Sequence, residues 1–332
     1  MKGLWITCLG LVLLFSLSCS KSTKPIIQSG WELLYVGEDV DLLSVSFVDE
    51  DYGWVGARSH WEFIVFHTTD GGNTWVKQKL PYSNWASLIG KVFFIDRYNG
   101  WVVGSTGIIA HTTDGGKSWS LQERVVDHSL YELQFVDINY GWIGAGGWAF
   151  LRTTDGGENW SFSSGVSGFD FLDSLNGFGG NRDYILRTSD GGVTWQEVAE
   201  RPLYRGGFDF VDLQKGWGID EFRQAFFDTF FCRIVHTTDG GKTWIYQTEL
   251  FRGAQIRHLI MIDEYHGWAG KGTHQGPAIL HTSDGETWKE QLLPSFIGSI
   301  HDIFFLDRNN GWAIGAHGLV LRTKNGGNPI TK

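Results

Sequence analysis

Two short signatures alternate along this chain at near-constant spacing, and nothing else in it restricts the fold so tightly. The first joins an apolar strand, an aspartate, a turn and Gly-Trp. It reads FVDEDYGW at 47–54, FIDRYNGW at 94–101, FVDINYGW at 135–142, FLDSLNGF at 171–178, FVDLQKGW at 210–217, MIDEYHGW at 261–268 and FLDRNNGW at 305–312, with Phe178 the sole departure at the aromatic. The second follows each copy: HTTDGGNTW at 67–75, HTTDGGKSW at 111–119, RTTDGGENW at 152–160, RTSDGGVTW at 187–195, HTTDGGKTW at 236–244, HTSDGETW at 281–288 and a degenerate RTKNGGNPI at 322–330. Six periods separate Asp70 from Asn325, a mean of 42.5 residues. That is the length of a four-stranded propeller blade.

The second signature has the chemistry of a turn. Asp70, Asp114, Asp155, Asp190, Asp239 and Asp284 would accept nearby backbone N–H groups, while the glycines supply positive φ between two strands. The tryptophan then opens the next strand and packs between blades. Short apolar stretches between the signatures suit strands, so the first blade reads as strand A at about 43–48, B at 52–57, C at 63–68 and D at 74–79. The last repeat ends without its Trp-bearing strand, whereas Ser29-Gly30-Trp31-Glu32-Leu33-Leu34 is an orphan strand of that type. The chain is therefore expected to be all-β, a seven-bladed propeller over 29–332 whose last blade is closed by the N-terminal strand.

The first 18 residues read as a secretory signal, with Lys2 before an apolar run from Leu4 to Leu17. Leu17-Ser18-Cys19 resembles a bacterial lipoprotein cleavage site, so Cys19 is the expected lipidated residue and 19–28 a polar tether. The expected location is the bacterial cell envelope, lipid-anchored at the outer membrane or periplasmic face, with secretion as the alternative. With Cys8 removed and Cys19 lipidated, Cys232 stands alone and no internal disulfide forms. A net charge of −10 argues against a broad nucleic-acid-binding face. No cofactor or metal is implied, and a monomer is expected.

The TTDGG-x-[TS]-W units match the aspartate box, or bacterial neuraminidase repeat. Joined to F-x-D-x-x-x-G-W in seven regular copies, they make residues 29–330 resemble the photosystem II stability and assembly factor-like propellers. The resemblance implies a non-catalytic helper of photosystem II assembly facing the lumen or periplasm, which binds its client through an arginine patch. Relatives also occur in bacteria without photosynthesis. The shared residues are structural, so the resemblance speaks more to fold than to role.

Subtracting repeat residues leaves the candidates for function. Of 17 tryptophans, six belong to Gly-Trp units, seven to the strand-D position and one to the signal, leaving Trp61, Trp85 and Trp148. All three map to B–C or D–A connections, on the face opposite the aspartate boxes. They either cap their own blades or form an aromatic platform for a protein or sugar. Arg182, Arg201, Arg205, Arg223, Arg252 and Arg257 gather on the same face around blades 4 to 6, as scattered surface charges or as a patch for an acidic partner. The insert Glu221 to Cys232 reads as an irregular lid or contact surface, with Cys232 buried.

At the start of the inner strands Lys91, Tyr131, Glu132, Arg257, His258, His301 and Asp302 are expected at equivalent positions near the channel mouth, as a ligand site or a hydrated wall. His67, His111, His236 and His281 alternate with arginines at one strand-C position and read as structural. A sialidase needs three converging arginines and a Tyr–Glu pair. A two-carboxylate hydrolase needs acids about 5–10 Å apart, for which Glu132 and Asp302 are the available residues. Neither set is marked, so a non-catalytic protein-binding scaffold is preferred. A surface glycan-binding lipoprotein is the alternative, and a glycoside hydrolase the least favoured.

Overall fold

The computed structural model describes residues 27–331 except 59–61, 82–87, 167, 201–206, 225–228, 250, 274–275 and 296–297; side chains at 27, 222–224, 229–230, 273 and 331 also lie outside the description. Seven antiparallel sheets form in chain order, each with four blade strands. In blade 1, strand A (Asp41–Phe47) pairs with B (Gly53–Arg58), B with C (Ile64–Thr68) and C with D (Val76–Lys79). Blade 7 takes its outer strand from the other end of the chain: Ile27–Tyr35 pairs with Leu319–Thr331, Leu33 opposite Leu321. The ring thus closes as the orphan Trp31 strand required.

The repeat residues build one joint per seam. In blade 1, Thr68 Oγ1 accepts from Gly72 N at 2.9 Å and donates to Asp70 Oδ1 at 2.8 Å, while Asp70 accepts from Thr74 N and Oγ1 at 2.8 and 2.7 Å. Gly71 and Gly72 take φ of 71° and 98° inside this turn, which a side chain would strain. The turn presents a glycine carbonyl to the preceding blade. There the Gly-Trp indole donates to it, Trp54 Nε1 to Gly115 O at 3.0 Å and Trp312 Nε1 to Gly71 O at 3.0 Å. The same indole is sandwiched: Trp54 stacks on His67 of its own blade at 4.7 Å and on Phe94 of the next at 3.6 Å. Burial lowers the pKa of His67, His111, His236 and His281, the last to about 4, so these rings are neutral stacking partners. In blade 7, Asn325 replaces the aspartate and bonds to Thr323 Oγ1 and Asn328 O.

Trp54→Phe should separate the two parts of this joint. It keeps an aromatic stack and deletes the donor to Gly115, so a loss of about 1 kcal/mol is expected in urea unfolding. An unchanged midpoint would show that the indole bond adds nothing.

The segment Glu221 to Cys232 corrects the sequence reading. Its described residues are regular: strands B (Gly216–Gln224) and C (Thr229–Thr237) of blade 5 stay paired out to Gln224 opposite Thr229. Phe251–Arg252 adds a further pairing against Phe231 and Cys232. Cys232 is fully buried, and burial pushes its thiol up to about 12, so it is unreactive.

Candidate functional site

The seven A strands line a central cavity of about 580 Å³. Each is the edge strand of its blade, and backbone donors on it need acceptors from outside the sheet. The preceding blade supplies them. Ser44 and Ser46 of blade 1 accept from Val92 N and Phe94 N of blade 2, both at 3.0 Å. Gln134 of blade 3 accepts from Phe171 N at 2.9 Å, and Asp170 of blade 4 from Phe210 N at 2.7 Å. Asp209 of blade 5 accepts from Met261 N, and Asp302 of blade 7 from Val45 N at 3.1 Å. The wall of the cavity is therefore also a belt of staples between blades.

The residues expected at one equivalent position occupy two. The A–B ladders skip a residue in five blades: pairing jumps between Leu42 and Ser44, Ile89 and Lys91, Leu130 and Glu132, Ile256 and His258, and Ile300 and Asp302. Tyr131, Arg257 and His301 are thus bulge residues, like Leu43 and Gly90, whereas Lys91, Glu132, His258 and Asp302 remain in the ladder. A bulge re-aims the side chain it carries. Tyr131 is 54% exposed in consequence. His301 turns back onto the wall, its Nδ1 donating to Leu42 O at 2.9 Å and its Nε2 accepting from Ser299 Oγ at 2.8 Å.

Asp302 is the centre of the ladder group. It is buried, and it pairs with Lys91 Nζ at 3.0 Å and with His258 Nδ1. Burial opposes its ionisation, but Lys91 and His258 outweigh burial and hold the carboxyl well below the usual range. A carboxylate so engaged is a structural anion, not a proton donor. This removes Asp302 from the two-carboxylate pairing with Glu132 considered from the sequence. Arg257 stays exposed beside this cluster.

Trp148 stands in the short turn Gly146–Trp148 between strands B and C of blade 3, and is 41% exposed. The turn is hydrogen-bonded to the strand carrying Tyr131, Gly146 N donating to Ser129 O at 2.9 Å. The corresponding turns of blades 2 and 7 end in Gly107 and Gly318, with φ of 73° and 70°. Trp148 adopts φ of 65° at that glycine position. A bulky residue held there costs about 1–2 kcal/mol.

Of the other expected site residues, Arg182 and Arg252 are exposed in blades 4 and 5. Trp61, Trp85, Arg201 and Arg205 lie outside the described residues, as do Cys19 and the tether up to residue 26, while Ile27 and Gln28, expected in the tether, already belong to the N-terminal strand; Arg223 is described only as backbone in strand B of blade 5. Among the described residues no group of three or more His, Cys, Asp or Glu is arranged to hold a metal, and no helix is long and apolar enough to cross a membrane. Sequence reasoning missed Gln134, Asp170 and Asp209, although each directly precedes the phenylalanine of its F-x-D signature.

A family model described as photosynthesis system II assembly factor YCF48 matches residues 24–125. Comparison with curated proteins gives no match. A structure described as YCF48 bound to D1 peptide is 22% identical, with a TM-score of 0.68 over 89% of this chain and 96% of its own. YCF48 from Cyanidioschyzon merolae is 18% identical, with a TM-score of 0.65 over 88% of this chain and 98% of its own. The GH74 xyloglucanase from Xanthomonas campestris has a TM-score of 0.69 at 11% identity, over 90% of this chain and 54% of its own, a likeness of fold. The chain is a seven-bladed β-propeller, and over residues 24–125 it is similar to the photosynthesis system II assembly factor YCF48 family.

Proposed function

We propose that the chain is a non-catalytic protein-binding scaffold that receives an extended peptide segment of a membrane or exported partner at the channel mouth. The observation carrying this reading is Trp148, an exposed indole kept in left-handed backbone where two sister turns have glycine, beside the exposed Tyr131. Strain held at an exposed aromatic has no use for folding, and fits a contact surface. The mouth also offers both signs of charge, Arg257 from blade 6 and Glu132 from blade 3, which suits a segment rich in amides and charges. A similar propeller is described as bound to D1 peptide, a precedent for a protein ligand on this fold. In this reading the N-terminal leader and a lipid on Cys19 would hold the ring at an envelope membrane.

Trp148→Gly tests the proposal, because it should relieve strain while removing the contact. The tagged chain would be purified from its native envelope with its co-purifying membrane proteins. The variant is expected to keep or slightly raise the melting temperature and to lose those partners by about tenfold. Unchanged recovery of partners would count against a mouth site. Retention of the wild type on immobilised glycan, lost in the variant, would favour the sugar-binding alternative.

A further inference from the structure

The seven seams of the ring are not equal. Six carry the indole bond to a box glycine, but blade 4 has Phe178, which has no donor for Gly240. A second latch, from a strand-D glutamine, runs from Gln78 to Gly115 O at 3.1 Å and from Gln247 to Gly285 O at 2.9 Å. The matching residue of blade 4 is Val198. Among the described residues the 4–5 seam buries Ile185 and Val235 together with Phe178, stacked on Phe210 at 3.6 Å, against ten buried residues from Trp217 to Leu280 at the 5–6 seam. The inner strands there are also short, Phe169–Phe171 and Phe208–Phe210.

The staples on the two sides of blade 5, across the 4–5 and the 5–6 seams, are both carboxylates. Asp170 bonds forward to Phe210 N at 2.7 Å and back to Gln134 Nε2 at 3.2 Å, and Asp209 bonds forward to Met261 N. Among the described residues neither has a cation within ion-pair distance. Glu132 of blade 3, the nearest wall position on that side, is itself an acid. Across the channel Lys91 and His258 are engaged by Asp302, Arg257 and His301 sit one bulge higher with Tyr131, and behind blade 5 Asp220 is taken by Arg233 at 2.8 Å. The 7–1 staple has Lys91 and His258 against it, whereas among the described residues the 4–5 and 5–6 staples have no basic side chain at that distance.

We propose that the seam between blades 4 and 5 is the joint at which this ring opens, and that the buried carboxyls of Asp170 and Asp209 favour the closed seam when one of them takes up a proton from solvent. A neutral acid still accepts the backbone N–H through its carbonyl oxygen, so protonation keeps the staple and removes the repulsion between the two anions. Burial, opposed by the Phe210 and Gln134 bonds, raises Asp170 to about 6, and burial and the Asp170 charge raise Asp209 well above the usual range. Folded-state values above the unfolded ones mean that the closed seam binds the proton more tightly than the open one. It therefore tightens as pH falls and loosens as pH rises through the folded-state values.

Hydrogen exchange on the full chain at pH 5.5 and pH 8 tests this, with amides of 169–171 and 208–210 referred to those of 300–305 at the same pH to cancel intrinsic rates. The relative protection of the 4–5 seam is expected to fall about tenfold at pH 8, the equivalent of one unit of pKa displacement. Asp209→Asn, which keeps the acceptor for Met261 N and removes the charge, should stay protected at pH 8. Phe178→Trp should add the missing latch and raise protection at both pH values. Equal protection around the ring, or a seam indifferent to pH, would overturn the proposal. So would an Asp209→Asn protein that exchanges at pH 8 as fast as the wild type.

Discussion

Deleting residues 29–36 is expected to abolish the folded monomer. These residues supply the outer strand of blade 7, paired along Leu319–Thr331 from Trp31 opposite Thr323 to Tyr35 opposite Leu319. Trp31 is 4% exposed, meets Phe305 edge-on and donates to Gln291 of blade 6 at 2.9 Å. Glu32 neutralises Arg322, whose Nη1 reaches Gly71 O of blade 1 at 3.2 Å. One strand thus supports the 6–7 and 7–1 seams together. Losing a buried tryptophan alone costs about 3–5 kcal/mol, against a total stability of about 5–15 kcal/mol for a typical domain. The deletion also bares the edge of a long strand, which invites pairing with other chains. Gel filtration and thermal melting of the truncated protein check this. A truncated monomer with the full-length melting temperature would mean that the ring closes some other way.

The ring was legible in the sequence because its joints demand particular residue types. The box turn needs a short side-chain acceptor, Asp or in blade 7 Asn, followed by glycine, and only an aromatic at Trp54 can stack on Phe94, so both recur along the chain. The belt of staples was less legible, because each bond joins residues about one blade apart and tolerates Ser, Gln or Asp as acceptor. Asp170 and Asp209 were visible as residues yet not as a pair, since their coupling depends on how adjacent blades abut. The bulges hid for another reason. A strict alternation puts Tyr131 and Lys91 on one wall, and only the ladder shows that one residue per inner strand is skipped. Trp148 was found as surplus tryptophan, but its backbone strain needed the sister turns Ser105–Gly107 and Ala316–Gly318 for comparison.

Asp302→Asn is expected to destabilise the ring by about 2 kcal/mol at neutral pH, below the 3–5 kcal/mol usual for a broken buried pair because Lys91 and His258 reach the water of the channel. The amide oxygen can still accept from Val45 N, so the loss isolates the ion pairs from the staple. The sign with pH is opposite to that of the 4–5 joint. Asp302 is held below its unfolded value, so its contribution is complete above about pH 4 and disappears as pH falls toward the folded value. Urea unfolding of wild type and variant from pH 3 to pH 8 should show a gap that is widest near neutrality and narrows in acid. A constant gap would mean that the substitution acts through packing alone. The two carboxylate arrangements then bracket the ring's stability: acid releases the paired anion at the 7–1 seam, and base charges the unpaired ones at the 4–5 seam. Their opposition places the firmest ring between those limits, and makes the 4–5 seam the first to yield as pH rises.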